Sequence, residues 1–342
     1  FFELGGHSII AVRLMIEIEY LKKIRLPLAV LFTNPTLVQL AQVIDNEASG
    51  ELWKSIIPIR EGGNHAPVYF AHGVSGNVFK YHTLGKLLDN NTPSYGLQAR
   101  GLNGLDKPFS DLVEMAAYHT SEILKMQPDG PYFLGGGSFG GTLAYEIACQ
   151  LSAMGKEIGF VALFDVEAAT KSEALEGVEK QIVELKLKSQ RVVSRLKLLA
   201  NQSMDDKLVY LKNKINNKNP QVDIRKKQID EWLEKELIAE KYGTVSADYF
   251  NNVEENCYKA LKNYHINSSN FHCILFRAKN GFYSPIEYEN DLGWGYFAKG
   301  KLEVVSTPGN HNSIFDQPNV IELANQLMKQ INAYYANKKQ LN

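Results

Sequence analysis

Three residues far apart in this chain, a serine, an aspartate and a histidine, are of the types that run nucleophilic acyl transfer. Ser138 lies within Gly135-Gly136-Gly137-Ser138-Phe139-Gly140-Gly141. The inner Gly-x-Ser-x-Gly pattern suits a sharp strand-to-helix turn that holds a nucleophile in strained backbone geometry. Residues without a Cβ can crowd around such a turn, which accounts for the flanking glycines. Asp165 ends the apolar run from Ile158 to Phe164, and His311 stands in Thr307-Pro308-Gly309-Asn310-His311-Asn312, behind Leu302-Glu303-Val304-Val305. A serine hydroxyl attacks a carbonyl once an imidazole takes its proton, and a carboxylate holds that imidazole in the useful tautomer. The oxyanion that results needs backbone donors. The candidates are the N–H groups of Val74, in the loop His72-Gly73-Val74-Ser75-Gly76-Asn77, and of Phe139. His72 falls too early in the chain for the base and reads as a brace for that loop. Each position alone has an ordinary structural explanation; the order Ser138, Asp165, His311 is the one expected of α/β-hydrolases.

A rival reading uses the same glycines. Gly135-x-Gly137-x-x-Gly140 fits the dinucleotide fingerprint, and Asp165 ends the following strand. That fingerprint marks the first strand–helix unit of its domain, whereas several strands precede it here. It also gives Ser138 and His311 no role, so the acyl-transfer reading is preferred.

The elements that must position these residues alternate. Ile56 to Arg60 reads as an edge strand, where Pro58 is tolerated. Val68 to Ala71 is a strand, Phe79 to Leu88 a helix, Ser94 to Leu97 a strand and Asp111 to Met126 a helix with Leu112, Met115, Ala116 and His119 on one side. The strand ahead of Ser138 leads into a helix from Thr142 to Met154, whose stripe is Leu143, Ile147 and Leu151 and whose C′ position suits Gly155. Strands at Ile158–Phe164, Phe271–Phe276 and Leu302–Val305 follow. Such alternation predicts a mostly parallel sheet with helices on both faces. Between Ala168 and about Leu261, Glu and Lys crowd around leucines without strand-like alternation; this stretch reads as a helical lid inserted over the site.

The first residues form a different unit. Ile9, Val12, Ile16 and Tyr20 recur at helical spacing, which puts Ser8 at a helix N-terminus, where free amides favour a phosphodiester. Leu28 to Phe32 reads as a short helix or turn. Thr36 and Gln39 are spaced as a capping box before a helix whose apolar face is Leu37, Leu40, Ala41 and Ile44. The expected division is a small all-α domain over 1–48, a linker over 49–55 and the α/β domain over 56–342, with its lid at about 168–261.

Composition narrows the partners. In 342 residues, 44% are hydrophobic, 22% are charged and the formal net charge is −1. These values argue against nucleic acid and against an anionic membrane surface. Cys149, Cys257 and Cys273 show neither metal-ligand spacing nor a disulfide framework, so a cytoplasmic location and no metal are expected. No apolar run reaches membrane-spanning length. The chain starts on Phe1 in mid-motif and reads as a piece of something longer.

Two resemblances sharpen these expectations. Phe1-Phe2-Glu3-Leu4-Gly5-Gly6-His7-Ser8-Ile9, with Leu31-Phe32 and Asn34-Pro35-Thr36, resembles the phosphopantetheine attachment motif of the peptidyl carrier proteins of nonribosomal peptide synthetases. The resemblance implies a covalent 4′-phosphopantetheine on Ser8, installed by a phosphopantetheinyl transferase, and a first carrier helix that should precede Phe1. Residues 56–335 resemble the thioesterase domains that end peptide synthetase assembly lines. The carrying segments are Phe70 to Asn77, Gly136 to Gly141 with Ala144-Tyr145-Glu146-Ile147-Ala148, Leu163-Phe164-Asp165 and Gly309-Asn310-His311. This implies release of an acyl or peptidyl chain from the adjacent carrier through an ester on Ser138, by hydrolysis or macrocyclisation. It also implies upstream modules with condensation and adenylation domains. Two departures stand out: Gly137 replaces a residue that is often aromatic or His, and Glu167 offers a second carboxylate near Asp165. The alternatives are an editing thioesterase, a general esterase or acyltransferase, and an interaction module without catalysis.

Overall fold

The computed structural model describes residues 1–6, 8–45, 53–168, 245–280 and 290–341, with only the backbone described at 8, 9, 245–251 and 341. Its described strands are β1 (Ile56–Arg60), β2 (Val68–Ala71), β3 (Ser94–Leu97), β4 (Tyr132–Gly137), β5 (Ile158–Phe164), β6 (Cys273–Ala278) and β7 (Leu302–Thr307). They form one sheet of order β1-β3-β2-β4-β5-β6-β7. β1 pairs antiparallel with β3 at the edge, and every other pairing is parallel. Pro58, which has no N–H to donate, therefore sits on the edge strand. All of β2 and β4 is buried, and β5 is buried beyond its first residue. Strands covered on both faces need continuous apolar runs, and Val68-Tyr69-Phe70-Ala71 and Phe160-Val161-Ala162-Leu163-Phe164 are such runs.

Outside the proposed lid, the expected helices are present with shifted ends. The stretch from Phe79 divides into a 3-10 turn (Phe79–Tyr81) and a helix over His82–Leu87. The next helix, Leu112–Met126, is capped by Asp111, whose Oδ1 accepts the Val113 N–H at 2.8 Å and the Glu114 N–H at 3.0 Å. The helix after Ser138 runs from Phe139 to Ala153, starting three residues before the expected Thr142. Gly140 and Gly141 are poor helix formers and carry no apolar stripe, so periodicity passes over them. The helix ends as expected: Gly155 has φ 74°, and the Lys156 N–H reaches the Leu151 carbonyl at 3.0 Å. β6 begins at Cys273, two residues after the expected start. A C-terminal helix, Asn319–Leu341, had no counterpart in the sequence reading; it buries Val320, Leu323, Ala324, Leu327 and Ile331. In the proposed lid, residues 169–244 lie outside the described residues. A helix over Val245–Asn263 is described and buries Val253, Cys257 and Ala260.

Numbered in chain order, the described α-helices are α1 (Ser8–Lys22), α2 (Val30–Thr33), α3 (Leu37–Asp45), α4 (His82–Leu87), α5 (Leu112–Met126), α6 (Phe139–Ala153), α7 (Val245–Asn263) and α8 (Asn319–Leu341). The capping box before α3 is formed: the Gln39 N–H donates to Thr36 Oγ1 at 3.3 Å and the Thr36 N–H to Gln39 Oε1 at 3.1 Å. The expected apolar face of α3 is only partly covered, because Leu40 is buried while Leu37 is 85% exposed. Residues 1–45 and the sheet belong to the same compact unit. Their contact is aromatic. Phe2 stacks on His82 with ring centroids 3.8 Å apart, and both Phe2 and Phe32 pack on Phe79, at 5.3 Å and 5.2 Å.

Candidate active site

The loops that follow β2, β4, β5 and β7 carry every residue singled out for acyl transfer in the α/β domain. Because these strands are parallel members of one sheet, their C-terminal ends emerge at the same edge. Gly137 pairs in register with Phe164, so Ser138 and Asp165 leave neighbouring strands at the same level.

Ser138 has φ 55° and ψ −131° and is the N-cap of α6. The glycines around it are required by close approach. A Cβ on Gly136 would lie 2.1 Å from the Gly140 carbonyl oxygen, and one on Gly140 would lie 2.3 Å from the Ala71 oxygen at the end of β2. The start of α6 is thereby seated against the loop that carries Val74. Among the described turns and loops, neither the Val74 nor the Phe139 N–H is used on a backbone carbonyl. Phe139 is the first residue of α6, so its amide also belongs to the positive end of the helix dipole.

Asp165 is 2% exposed and has φ 51°. Its Oδ1 accepts the Ala278 N–H from the end of β6 at 2.9 Å, and its Oδ2 lies 3.1 Å from His311 Nδ1. The same ring nitrogen lies 3.1 Å from the Asp165 carbonyl oxygen. Both partners are acceptors, so Nδ1 carries a proton and, in the neutral ring, Nε2 is the nitrogen left to accept one. The His311 loop is fastened by the Asn280 N–H to the Gly309 carbonyl at 3.0 Å, and by Asn310 Oδ1, which accepts the Asn312 N–H at 3.0 Å and the Ser313 N–H at 3.1 Å. Glu167, the second carboxylate of the sequence reading, is partly buried.

His72 braces its loop, as expected: it is fully buried and Nδ1 donates to the Gly73 carbonyl at 2.8 Å. Burial, followed by the nearby Lys80 charge, pulls its pKa down to about 4, so it is neutral near pH 7. The equally buried His119 stands beside it, with ring centroids 5.6 Å apart.

Three contributors were missed by the sequence reading. Tyr81 donates its hydroxyl hydrogen to the Ala71 carbonyl at 2.9 Å and accepts the Gly137 N–H at 2.9 Å, which ties the Val74 loop to the turn at Ser138. Lys80 Nζ donates to the Gly137 carbonyl at 3.2 Å. The third is the Ala278 amide on Asp165. No residue pattern marks them, because each acts on backbone atoms brought close only by the fold.

Ser8 is the first residue of α1, and no acidic residue occupies the first turn of that helix. The N–H groups that open a helix have no partner within it, and without a repelling carboxylate they suit a phosphodiester on this hydroxyl. His7, the other motif residue, lies outside the described residues. Among the described residues, no group of three or more His, Cys, Asp or Glu side chains could hold a metal, and no helix is long and apolar enough to cross a membrane.

Comparison with known proteins accords with this geometry. The thioesterase domain family model matches residues 66–328, and the phosphopantetheine attachment site model matches residues 1–44. Malpinin synthetase of Mortierella alpina is 35% identical over 183 residues, which cover 53% of this chain and 2% of that protein. Atromentin synthetase of Tapinella panuoides is 34% identical over 171 residues, 48% of this chain and 18% of that one. The dimodular nonribosomal peptide synthase of Bacillus subtilis (strain 168) is 34% identical over 165 residues, 48% of this chain and 7% of that one. The chain thus spans between 2% and 18% of the length of these relatives. Among solved structures, a holo four-domain nonribosomal peptide synthetase bound to AMP and glycine superposes with TM-score 0.60 and 28% identity, over 96% of this chain and 24% of that one. The Vlm2 thioesterase domain, at 18% identity and TM-score 0.52 over 80% of this chain and 96% of that one, shows the shared α/β-hydrolase fold. The chain belongs to the thioesterase domain family and carries a phosphopantetheine attachment site ahead of that domain.

Proposed function

We propose that this chain releases an acyl or peptidyl group from a phosphopantetheine arm on its own Ser8, through an ester on Ser138. When bound, the arm supplies a thiol that carries the acyl group as a thioester. His311 Nε2 takes the Ser138 proton as Oγ attacks the thioester carbonyl, and Asp165 holds the imidazole and stabilises its charged form. The Val74 and Phe139 amides receive the oxyanion. Loss of one such donor typically costs on the order of 10²–10³ in rate. His311 returns its proton to the departing thiolate, leaving the acyl group on Ser138. Water, or a nucleophile within the acyl chain, then attacks that ester with His311 again as base. The carrying observation is the Asp165–His311 contact at 3.1 Å, made at the sheet edge where Ser138 leaves β4 in positive-φ geometry.

The reading extends to a phosphopantetheinyl transferase that modifies Ser8 and to synthetase modules that supply the acyl group. The domain limits 1–48, 49–55 and 56–342 belong to it as well. The test is turnover of an acyl thioester by the intact chain. Ser138→Ala and His311→Ala are expected each to lower release by at least about 10³-fold without loss of folding. Release persisting in folded Ser138→Ala refutes the assignment.

A further inference from the structure

Both backbone groups of the residue before the nucleophile are held by consecutive side chains. Tyr81 Oη accepts the Gly137 N–H at 2.9 Å, and Lys80 Nζ donates to the Gly137 carbonyl at 3.2 Å. The same ammonium lies 5.0 Å from the Tyr81 ring centroid and 5.3 Å from that of Phe315, four residues beyond His311. A Cβ on Gly73, in the Val74 loop, would stand 3.3 Å from Nζ, and so would one on Gly137. A Cβ on Gly137 would also lie 2.9 Å from the Phe315 ring. Lys80 and Phe315 therefore occupy the space that a side chain at 137 would need. The ammonium touches the oxyanion loop, the elbow and the histidine loop at once.

An ammonium in this position is costly. Desolvation penalises the charge and a ring face offsets it only in part, whereas an apolar side chain of similar length would fill the space without that cost. Only one of its three donors is used on a hydrogen bond to the described residues. Such a group suits a place where negative charge appears transiently, because a preorganised cation needs no rearrangement at that moment.

We propose that Lys80 is a positioning residue for acyl transfer, fixing the Gly137–Ser138 peptide and biasing the neighbouring oxyanion loop toward negative charge. The proposal rests on the acyl-transfer reading of Ser138. Its charge gives it a signature that a space-filling lysine lacks. Burial pulls the Lys80 pKa down to about 8. The titratable groups facing it are His72, neutral above about 4, and Tyr81, which burial holds protonated well above the usual tyrosine range. Lys80 is thus the member of this cluster that loses charge on the alkaline side of neutrality.

The experiment is the rate at which a fluorophosphonate modifies Ser138 in the intact chain, followed by mass from about pH 6.5 to 10. Wild type, Lys80→Met and Lys80→Gln are compared, with thermal unfolding as a check on folding. In wild type the rate is expected to decline above about pH 8. Lys80→Met is expected to react on the order of tenfold more slowly at neutral pH and to lack the alkaline decline. Lys80→Gln retains a donor but no charge; it is expected to recover part of the rate and to stay flat with pH. A folded Lys80→Met that matches wild type in rate and profile overturns the proposal. Should Lys80→Met fail to fold, Lys80→Gln decides: a flat alkaline profile supports the proposal and a retained decline overturns it. Wild type that is not modified at Ser138 overturns the underlying acyl-transfer reading instead.

Discussion

Ser138 and Asp165 share a conformation that side chains with a Cβ seldom adopt, with φ of 55° and 51°. Such residues cost on the order of 1–3 kcal/mol each and persist where the surroundings over-determine them. Here the Gly141 N–H is tied to the Ser138 carbonyl, and the Asp165 N–H to the Phe276 carbonyl, each at 2.9 Å. The serine was legible because its glycines announce the turn, and the histidine because it follows the last strand. The carboxylate was singled out by chain order and by its place at a strand end, whereas its anchor, the Ala278 amide, is 113 residues away. Tyr81 and Lys80 were illegible for the same reason. Asp165→Asn tests the carboxylate: release is expected to fall on the order of 10³–10⁴-fold, by analogy with a histidine held in the wrong tautomer. Steady-state turnover alongside an unchanged melting temperature would show it, and near-normal turnover would remove Asp165 from the mechanism. The buried histidines make a second prediction. Burial lowers His72 and His82 to about 4 and His119 well below its ordinary value. The unfolded chain therefore binds more protons than the folded one between about pH 6.5 and 4, so stability falls as the pH drops through that window. His72 alone contributes on the order of 3 kcal/mol to that loss. Melting temperature against pH measures it, and a flat curve over that range contradicts it.

At the level of elements, β1, β2, β3 and β5 fall on the residues expected of them, because short apolar runs bounded by turn residues leave little choice. Helix ends and faces were harder. The glycines that open α6 are there for contact with the Ala71 carbonyl and the Val166 side chain, so they look unlike helix in sequence. The apolar face of α3 is legible in the sequence, yet burial depends on what lies opposite, and Leu37 stays exposed. α6 presents a full core face, with Leu143, Ile147 and Leu151 completely buried. Leu143→Ala is expected to cost about 2–5 kcal/mol by denaturant unfolding. A cost below about 1 kcal/mol would mean that this helix does not support the site as described. The aromatic contact between residues 1–45 and the segment after the Val74 loop has its own consequence. Phe79 touches Phe1, Phe2 and Phe32. Phe79→Leu is expected to slow release from Ser8 while leaving turnover of a free acyl thioester within about twofold, the pattern of a weakened interface. Equal losses on both substrates would place the effect inside the α/β domain.

In the proposed reading the chain joins two functions that need each other: a hydroxyl at a helix N-terminus that carries an arm, and a nucleophile at a sheet edge that unloads it. The covalent linkage between them and the packed aromatic contact keep the two close. The pairing of an attachment site with a thioesterase domain was legible from a nine-residue string around Ser8 and from a candidate triad spread over 174 residues. The lid expected over about 168–261 falls largely outside the described residues. The most direct test of the central claim is the intact mass of the chain after Ser8 has been loaded with an acyl-phosphopantetheine from acyl-CoA by a transferase. The account predicts that the acyl mass leaves wild type and stays on Ser138→Ala. Loss at the same rate from both proteins would contradict it.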